Sequence, residues 1–194
     1  MIVWLASYPK SGNTLVRSML AAYFFSNDGV YNFDLIKNIK QFPINAPFER
    51  MGIDIKNEEE VIKNYIRVQE SFNKKDSVQF LKTHSYLFNI NNNAFTDLNN
   101  SLGVIYIVRD PRNIVTSFAN HIGASAEKSA ILMAGIMMSS STRTSSPSTP
   151  FAYHLLSFLK AKNILSLNVA KPTLILHRSP NFIPVCSIFK MFER

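Results

Sequence analysis

Leu102 to Val108 (LGVIYIV) is an unbroken apolar run rich in β-branched residues. A strand with one wet face alternates apolar and polar residues. A strand apolar at every position is covered on both faces, as in a parallel sheet with helices on either side. Ile2 to Ala6 (IVWLA) is a second such run, and Val78 to Lys82 reads as a third strand. Between and after them lie helical patterns, so the order is strand, loop, helix, helix, strand, strand, helix. That order predicts an α/β fold, a parallel β-sheet flanked by helices. A length of 194 residues favours one domain with a real core.

The helices announce themselves by spacing. From Thr14, the apolar residues Leu15, Met19, Leu20 and Tyr23 recur at helical intervals. Asn57 to Lys75 reads as one helix, with Asn57 and Glu60 spaced as a capping box and Val61, Tyr65, Val68 and Phe72 as its apolar face. Asp110-Pro111 places a capping carboxylate before a first-turn proline, with Ile114, Val115 and Phe118 on the buried side. Residues 26–56 read as loop with short helical pieces. The Asn-rich stretch Asn89 to Asn100 is expected to hold a short helix between turns.

Past residue 127 the sequence changes character. Residues 1–127 hold 13 Lys/Arg and 12 Asp/Glu, whereas residues 128–194 hold 8 Lys/Arg and only Glu193. Eleven of the twelve residues from Ser139 to Pro150 are Ser, Thr or Pro, which reads as linker or disorder. Phe151 to Asn168 is weakly helical, and Pro172 to Phe192 has no clean period. The expected division is a core over 1–127 and an atypical, partly disordered or poorly packed segment over 128–194.

The net charge of +8 does not argue for nucleic acid, because basic and aromatic residues do not interleave into a base-stacking platform. The single cysteine, Cys186, excludes an internal disulfide framework. The apolar start is too short for a signal peptide and Ile131 to Met138 too short to span a bilayer. A cytoplasmic protein without nucleic-acid or membrane partners is expected; oligomeric state is not readable.

Three groups of residues can carry chemistry. Tyr8-Pro9-Lys10-Ser11-Gly12-Asn13-Thr14 joins a buried strand to a helix start, where unpaired N–H groups and the helix dipole attract anions. Gly12 permits close approach of a phosphate, Lys10 adds charge, and Ser11, Asn13 and Thr14 add short donors. The loop lacks the earlier glycine of a Walker A motif, which argues against a P-loop nucleotide kinase. Lys82-Thr83-His84 ends a strand, the edge where ligands bind in parallel sheets. Arg109 stands where the LGVIYIV strand ends, and Ser117 lies along the next helix. Each group has a plainer reading: a surface turn, a structural histidine, an Arg109 paired with Asp110 or a helix carboxylate, a solvent-facing serine.

Taken together and in this order, the three groups resemble the sulfotransferases that use 3′-phosphoadenosine 5′-phosphosulfate (PAPS), over roughly residues 1–121. The resemblance implies a P-loop-like sulfotransferase fold and a sulfuryl donor, PAPS, with no metal. It implies that Lys10, Ser11, Gly12, Asn13 and Thr14 hold the 5′-phosphosulfate, with Asn13 where the family more usually has Thr. It makes His84 the base, with Lys10 and Lys82 also catalytic, and assigns the 3′-phosphate to Arg109 and Ser117, eight positions apart. The acceptor would be a hydroxyl or amine on a small molecule or glycan. Two family features are missing: a Tyr-Glu-Asp-like segment after a third core strand, sought at Pro172 to Ile183, and a late glycine-rich loop, since Gly135 is the only glycine after residue 123. These losses suggest a C-terminal third that is truncated or read out of the ancestral frame. The alternative function is a catalytically silent relative that binds adenosine 3′,5′-bisphosphate weakly.

Overall fold

A computed structural model of the chain describes residues 1–73, 77–134, 164–168 and 176–177. The fold is α/β, as expected. Strands β1 (Ile2–Ser7), β3 (Gln79–Thr83) and β6 (Ser101–Val108) form the parallel centre of a six-stranded sheet. The sheet is extended by β2 (Lys40–Gln41) beside β3, and by β7 (Ile164–Asn168) and β8 (Leu176–His177) beyond β6. Its order is β2-β3-β1-β6-β7-β8, and only the β7–β8 pair is antiparallel. Every residue of β1 is buried, which explains its uninterrupted apolar text.

Successive residues of β1 point to opposite faces. Val3 and Leu5 meet Val16, Leu20 and Ala21 of α1 (Asn13–Phe25) on one face. On the other, Ile2 and Trp4 meet residues of α2 (Asn45–Arg50), α3 (Glu58–Lys63) and α4 (Tyr65–Phe72), among them Phe48, Tyr65 and Val68. A third cluster joins Tyr8 to α5 (Pro111–Ile122) and α6 (Ala126–Ala134) through Ile114, Phe118 and Met133.

Helix α1 forms where expected, and not every apolar residue in it is buried. Leu15, Met19 and Tyr23 are exposed, while Asn13, Val16, Leu20 and the partly buried Phe24 face the sheet. The apolar residues of α1 fall on almost every side of the helix, so periodicity alone cannot select a face. The buried Asn13 sets the rotation by bonding back to Leu5.

Three further local expectations change. The helix expected over 57–75 is two helices, because the Asn64 N–H turns back to the Val61 carbonyl at 3.1 Å, a tight turn that interrupts the α-ladder. Asn57 accepts from the Glu60 N–H, half of a capping box. Asn89 to Asn100 holds a hairpin in place of a helix: β4 (Asn89–Ile90) pairs with β5 (Asn93–Ala94). Asn91 and Asn92 both have positive φ, 51° and 62°, the requirement of a two-residue primed turn that asparagine tolerates well. The strand beside β6 is β7, at Ile164–Asn168 in the stretch read as weakly helical, ahead of Pro172. Most of 128–194, including the Ser/Thr/Pro run, lies outside the described residues.

Among the described residues no helix is long and apolar enough to cross a membrane, and no group of His, Cys, Asp or Glu could hold a metal ion.

Burial has a consequence at high pH. It pushes Tyr8 up to about 12, Tyr65 up to about 12 (with help from Glu58) and Tyr106 upward as well. Raised phenols stabilise the fold fully below the ordinary value of 10.0, and that stabilisation is lost as pH rises towards about 12. Urea unfolding at stepped pH is expected to show stability falling across this window. Tyr65→Phe should reduce the slope, and an unchanged slope would show that Tyr65 does not contribute.

Candidate functional site

The register of the central strands brings the three sequence groups to one edge. Ala6 lies opposite Thr83 on β3 and opposite Tyr106 on β6, and Ser7 lies opposite Ile107. The loop after β1, His84 after β3 and Arg109 after β6 therefore leave the sheet within a residue or two of one line. With neighbouring strands roughly 4.8 Å apart, the backbones of His84 and Arg109 flank the loop on the order of 10 Å from each other.

The loop is shaped by two left-handed residues, Lys10 at φ 67° and Gly12 at φ 104°. Such a conformation costs a non-glycine residue roughly 1–2 kcal/mol. It also cups backbone N–H groups into a concavity that suits anions. The Ser11 N–H closes the turn on the Tyr8 carbonyl at 3.2 Å. Gly12 precedes α1 with no side-chain cap, so the first-turn N–H groups are left for another acceptor. The Ser11 hydroxyl is buried without a partner. Thr14 is exposed at the helix start, its carbonyl accepting from Ser18. These features fit a bound phosphate or sulfate group. Asn13 differs from its sequence reading: its side-chain Nδ2 donates to the Leu5 carbonyl at 2.8 Å and to Ser7 Oγ at 3.1 Å, so its amide is committed to the fold.

His84 is half-buried, with Nδ1 2.8 Å from the Ser7 carbonyl oxygen and 3.2 Å from Ser7 Oγ. Lys82 is half-buried on the α1 side of β3, and its Nζ donates to Gln41 Oε1 at 3.1 Å. Burial lowers the Lys82 ammonium pKa from its ordinary value, and nearby Arg17 lowers it further. Arg17 reaches across to the Ile36 and Ile39 carbonyls. Arg17, Gln41 and Ser7 were absent from the sequence reading. Arg17 was detectable as a cation one turn into α1, whereas Gln41 sits on a two-residue edge strand with no periodicity to announce it.

Arg109 turns to the loop: its Nη1 donates to the Lys10 carbonyl at 3.1 Å. The alternative pairing with Asp110 does not occur. Asp110 instead binds Arg112, with Nη2 at 2.6 Å, and accepts the Arg112 N–H at 2.9 Å as helix cap. The Arg112 side chain holds the Asp110 carboxyl at about 2. Ser117 is half-buried on α5, one turn beyond Ile114, which packs with Tyr8 of the loop.

A separate cleft of about 760 Å³ opens between the start of α3 and the β4–β5 hairpin, lined by Asp54, Lys56, Glu58 and Glu59 among others. Three carboxylates against one ammonium would repel an anionic donor. The loop, with Lys10 and the uncapped start of α1, suits an anion better than this cleft does.

The sequence model of the sulfotransferase domain matches residues 2–167. Among solved structures, the chain is similar to retinol dehydratase in a complex with retinol and PAP, at 18% identity and a TM-score of 0.48. That match covers 85% of this chain and 53% of the other, so the chain spans about half the length of that protein. No curated protein matches. The domain match extends past the central strands and into β7, and by it the chain belongs to the sulfotransferase domain family.

Proposed function

We propose that the chain transfers a sulfuryl group from PAPS to a hydroxyl or amine on a small-molecule or glycan acceptor. The observation that carries this reading is the convergence at one sheet edge. His84 leans on Ser7 from one side of the loop, and Arg109 donates to Lys10 from the other. PAPS supplies an activated sulfuryl group whose leaving part is a nucleotide phosphate.

The roles of the residues follow from charge and reach. The acceptor oxygen or nitrogen forms a bond to sulfur as the bond from sulfur to the bridging oxygen breaks. His84 takes the acceptor's proton. Lys10 and the α1 N-terminus neutralise the charge left on the phosphate. Lys82, held by Gln41, is assigned to steady the sulfonate oxygens. The Arg109 fork, with Ser117, suits the 3′-phosphate. Residues 1–127 carry this donor-side chemistry, while 128–194 form the atypical segment. No metal enters the scheme.

A second reading has its own observation. The sequence lacks the glycine-rich closing loop, with Gly135 the only glycine after residue 123. In this reading the chain binds the bisphosphate weakly and is catalytically silent.

Titration with adenosine 3′,5′-bisphosphate, followed by transfer assays on phenols, alcohols and amines, tests both readings. Micromolar binding is expected. Arg109→Ala should weaken it by roughly 10- to 100-fold, the value of about 1.5–3 kcal/mol for hydrogen bonds to a charged group. Binding without transfer to any acceptor would favour the silent relative. Preference for ATP with magnesium would favour a kinase and overturn both.

A further inference from the structure

A line of short contacts runs from the first residue of α1 to the imidazole of His84. Asn13 is 4% exposed and Ser7 is fully buried. Asn13 Nδ2 donates one hydrogen to the Leu5 carbonyl at 2.8 Å and the other to Ser7 Oγ at 3.1 Å. Ser7 in turn presents its carbonyl oxygen to His84 Nδ1 at 2.8 Å and its hydroxyl at 3.2 Å.

The hydrogen count along this line is constrained. A carbonyl oxygen accepts and cannot donate, so the shorter contact requires a hydrogen on Nδ1. A neutral imidazole protonated at Nδ1 carries its lone pair on Nε2. Ser7 therefore selects the tautomer, and its hydroxyl receives a second, longer branch of the same hydrogen. If the serine hydroxyl donated to Nδ1 instead, the nitrogen lone pair would face the carbonyl at 2.8 Å, which is repulsive.

Asn13 braces the residue that does this selecting. Its two amide hydrogens hold two oxygens of the last turn of β1, one from Leu5 and one from Ser7. Its own Oδ1 is buried and without a partner, so the amide serves here through its donors. A threonine at this position has one hydroxyl hydrogen and can hold only one of the two oxygens.

We infer that Asn13 and Ser7 are positioning residues that hold His84 as the Nδ1–H tautomer, which puts the lone pair a base needs on Nε2. The catalytic meaning rests on the proposed role of His84, but the test does not. The full chain is labelled with ¹⁵N-histidine, and long-range ¹H–¹⁵N spectra are recorded at alkaline pH, where the ring is neutral. His84→Gln assigns the signal among the four histidines.

Wild-type His84 should show the Nδ1–H pattern, the minor form of free imidazole in water. Ser7→Ala keeps the backbone carbonyl and should leave the Nδ1–H pattern in place. Asn13→Ala releases the last turn of β1 and should raise the ratio of Nε2–H to Nδ1–H roughly fivefold, the effect of one hydrogen bond of ordinary net strength. Asn13→Ala added to Ser7→Ala should still shift the ratio, because the bond to the Leu5 carbonyl is lost as well. If Asn13→Ala fails to fold, Asn13→Thr replaces it, with a smaller shift in the same direction.

A wild-type Nε2–H tautomer would overturn the inference. So would an Asn13 variant that leaves the ratio unchanged, or a Ser7→Ala chain that goes over to the Nε2–H form. The spectra contain no donor or acceptor, so a chain that transfers no sulfate is still tested. An intact tautomer in such a chain would count against the proposed function alone.

Discussion

Replacing His84 by alanine is expected to lower sulfate transfer by roughly 10²–10⁴-fold, the usual contribution of a positioned base. The stability cost should be small by comparison. The side chain is half-buried at the sheet edge, and its contacts to Ser7 are worth about 1 kcal/mol net. A base removes the acceptor's proton only as the bond to sulfur forms, so kcat and kcat/KM should fall together. Lys10 sharpens the test because its backbone and its charge can be separated. Lys10→Ala removes the charge and should also cut transfer far more than stability. Lys10→Gly removes the same charge but relieves the left-handed backbone at φ 67°. It should therefore lose activity while gaining up to about 1 kcal/mol of stability. If the alanine variants lose activity only in proportion to stability, His84 and Lys10 are structural positions and the catalytic scheme fails.

The parts of the fold that the sequence displays most clearly are the central strands, β1 buried throughout and β6 buried at Ile105, Tyr106 and Ile107. β1 and β6 are legible because nothing polar interrupts them, and each is followed at once by the turn chemistry of a helix start. The edge of the sheet is different. Lys40–Gln41 joins β3 by backbone pairing and by one side-chain bond, from Lys82 to Gln41, and two polar residues carry no period. The hairpin at Asn91 and Asn92 depends on positive φ at both residues, which an Asn-rich composition does not distinguish from turns around a short helix. In α1 the apolar residues nearly encircle the helix, so the face was decided by one hydrogen bond from Asn13 to Leu5. The site divides in the same way. Its positions follow from motif order and strand ends. The partners that tune them, Ser7 beneath His84 and Arg17 beside Lys82, come from tertiary packing that spacing does not encode.

Phe95→Ala should be among the most destabilising single substitutions in the core, at about 3–5 kcal/mol. The side chain is 1% exposed, and its ring lies 4.9 Å from Trp4, 6.0 Å from Phe42, 5.8 Å from Tyr65 and 5.7 Å from Phe88. These partners come from β1, the segment after β2, α4 and the segment after β3, so the ring joins four parts of the chain. Its backbone is tied down as well, with the N–H on the Phe88 carbonyl at 3.0 Å and the carbonyl accepting from the buried Gln69 at 2.6 Å. Neighbours held this firmly cannot collapse into the space left by the ring, so the cavity penalty adds to the lost transfer energy. A domain of ordinary stability has about 5–15 kcal/mol in total, so the loss is a large fraction of it. Phe95→Leu keeps most of the volume and should cost well under half as much. Urea unfolding reads both variants as a shift of midpoint at constant slope. A cost below about 1 kcal/mol for the alanine variant would mean that the aromatic cluster repacks freely, and that Phe95 does not clamp the segment carrying His84 onto the sheet.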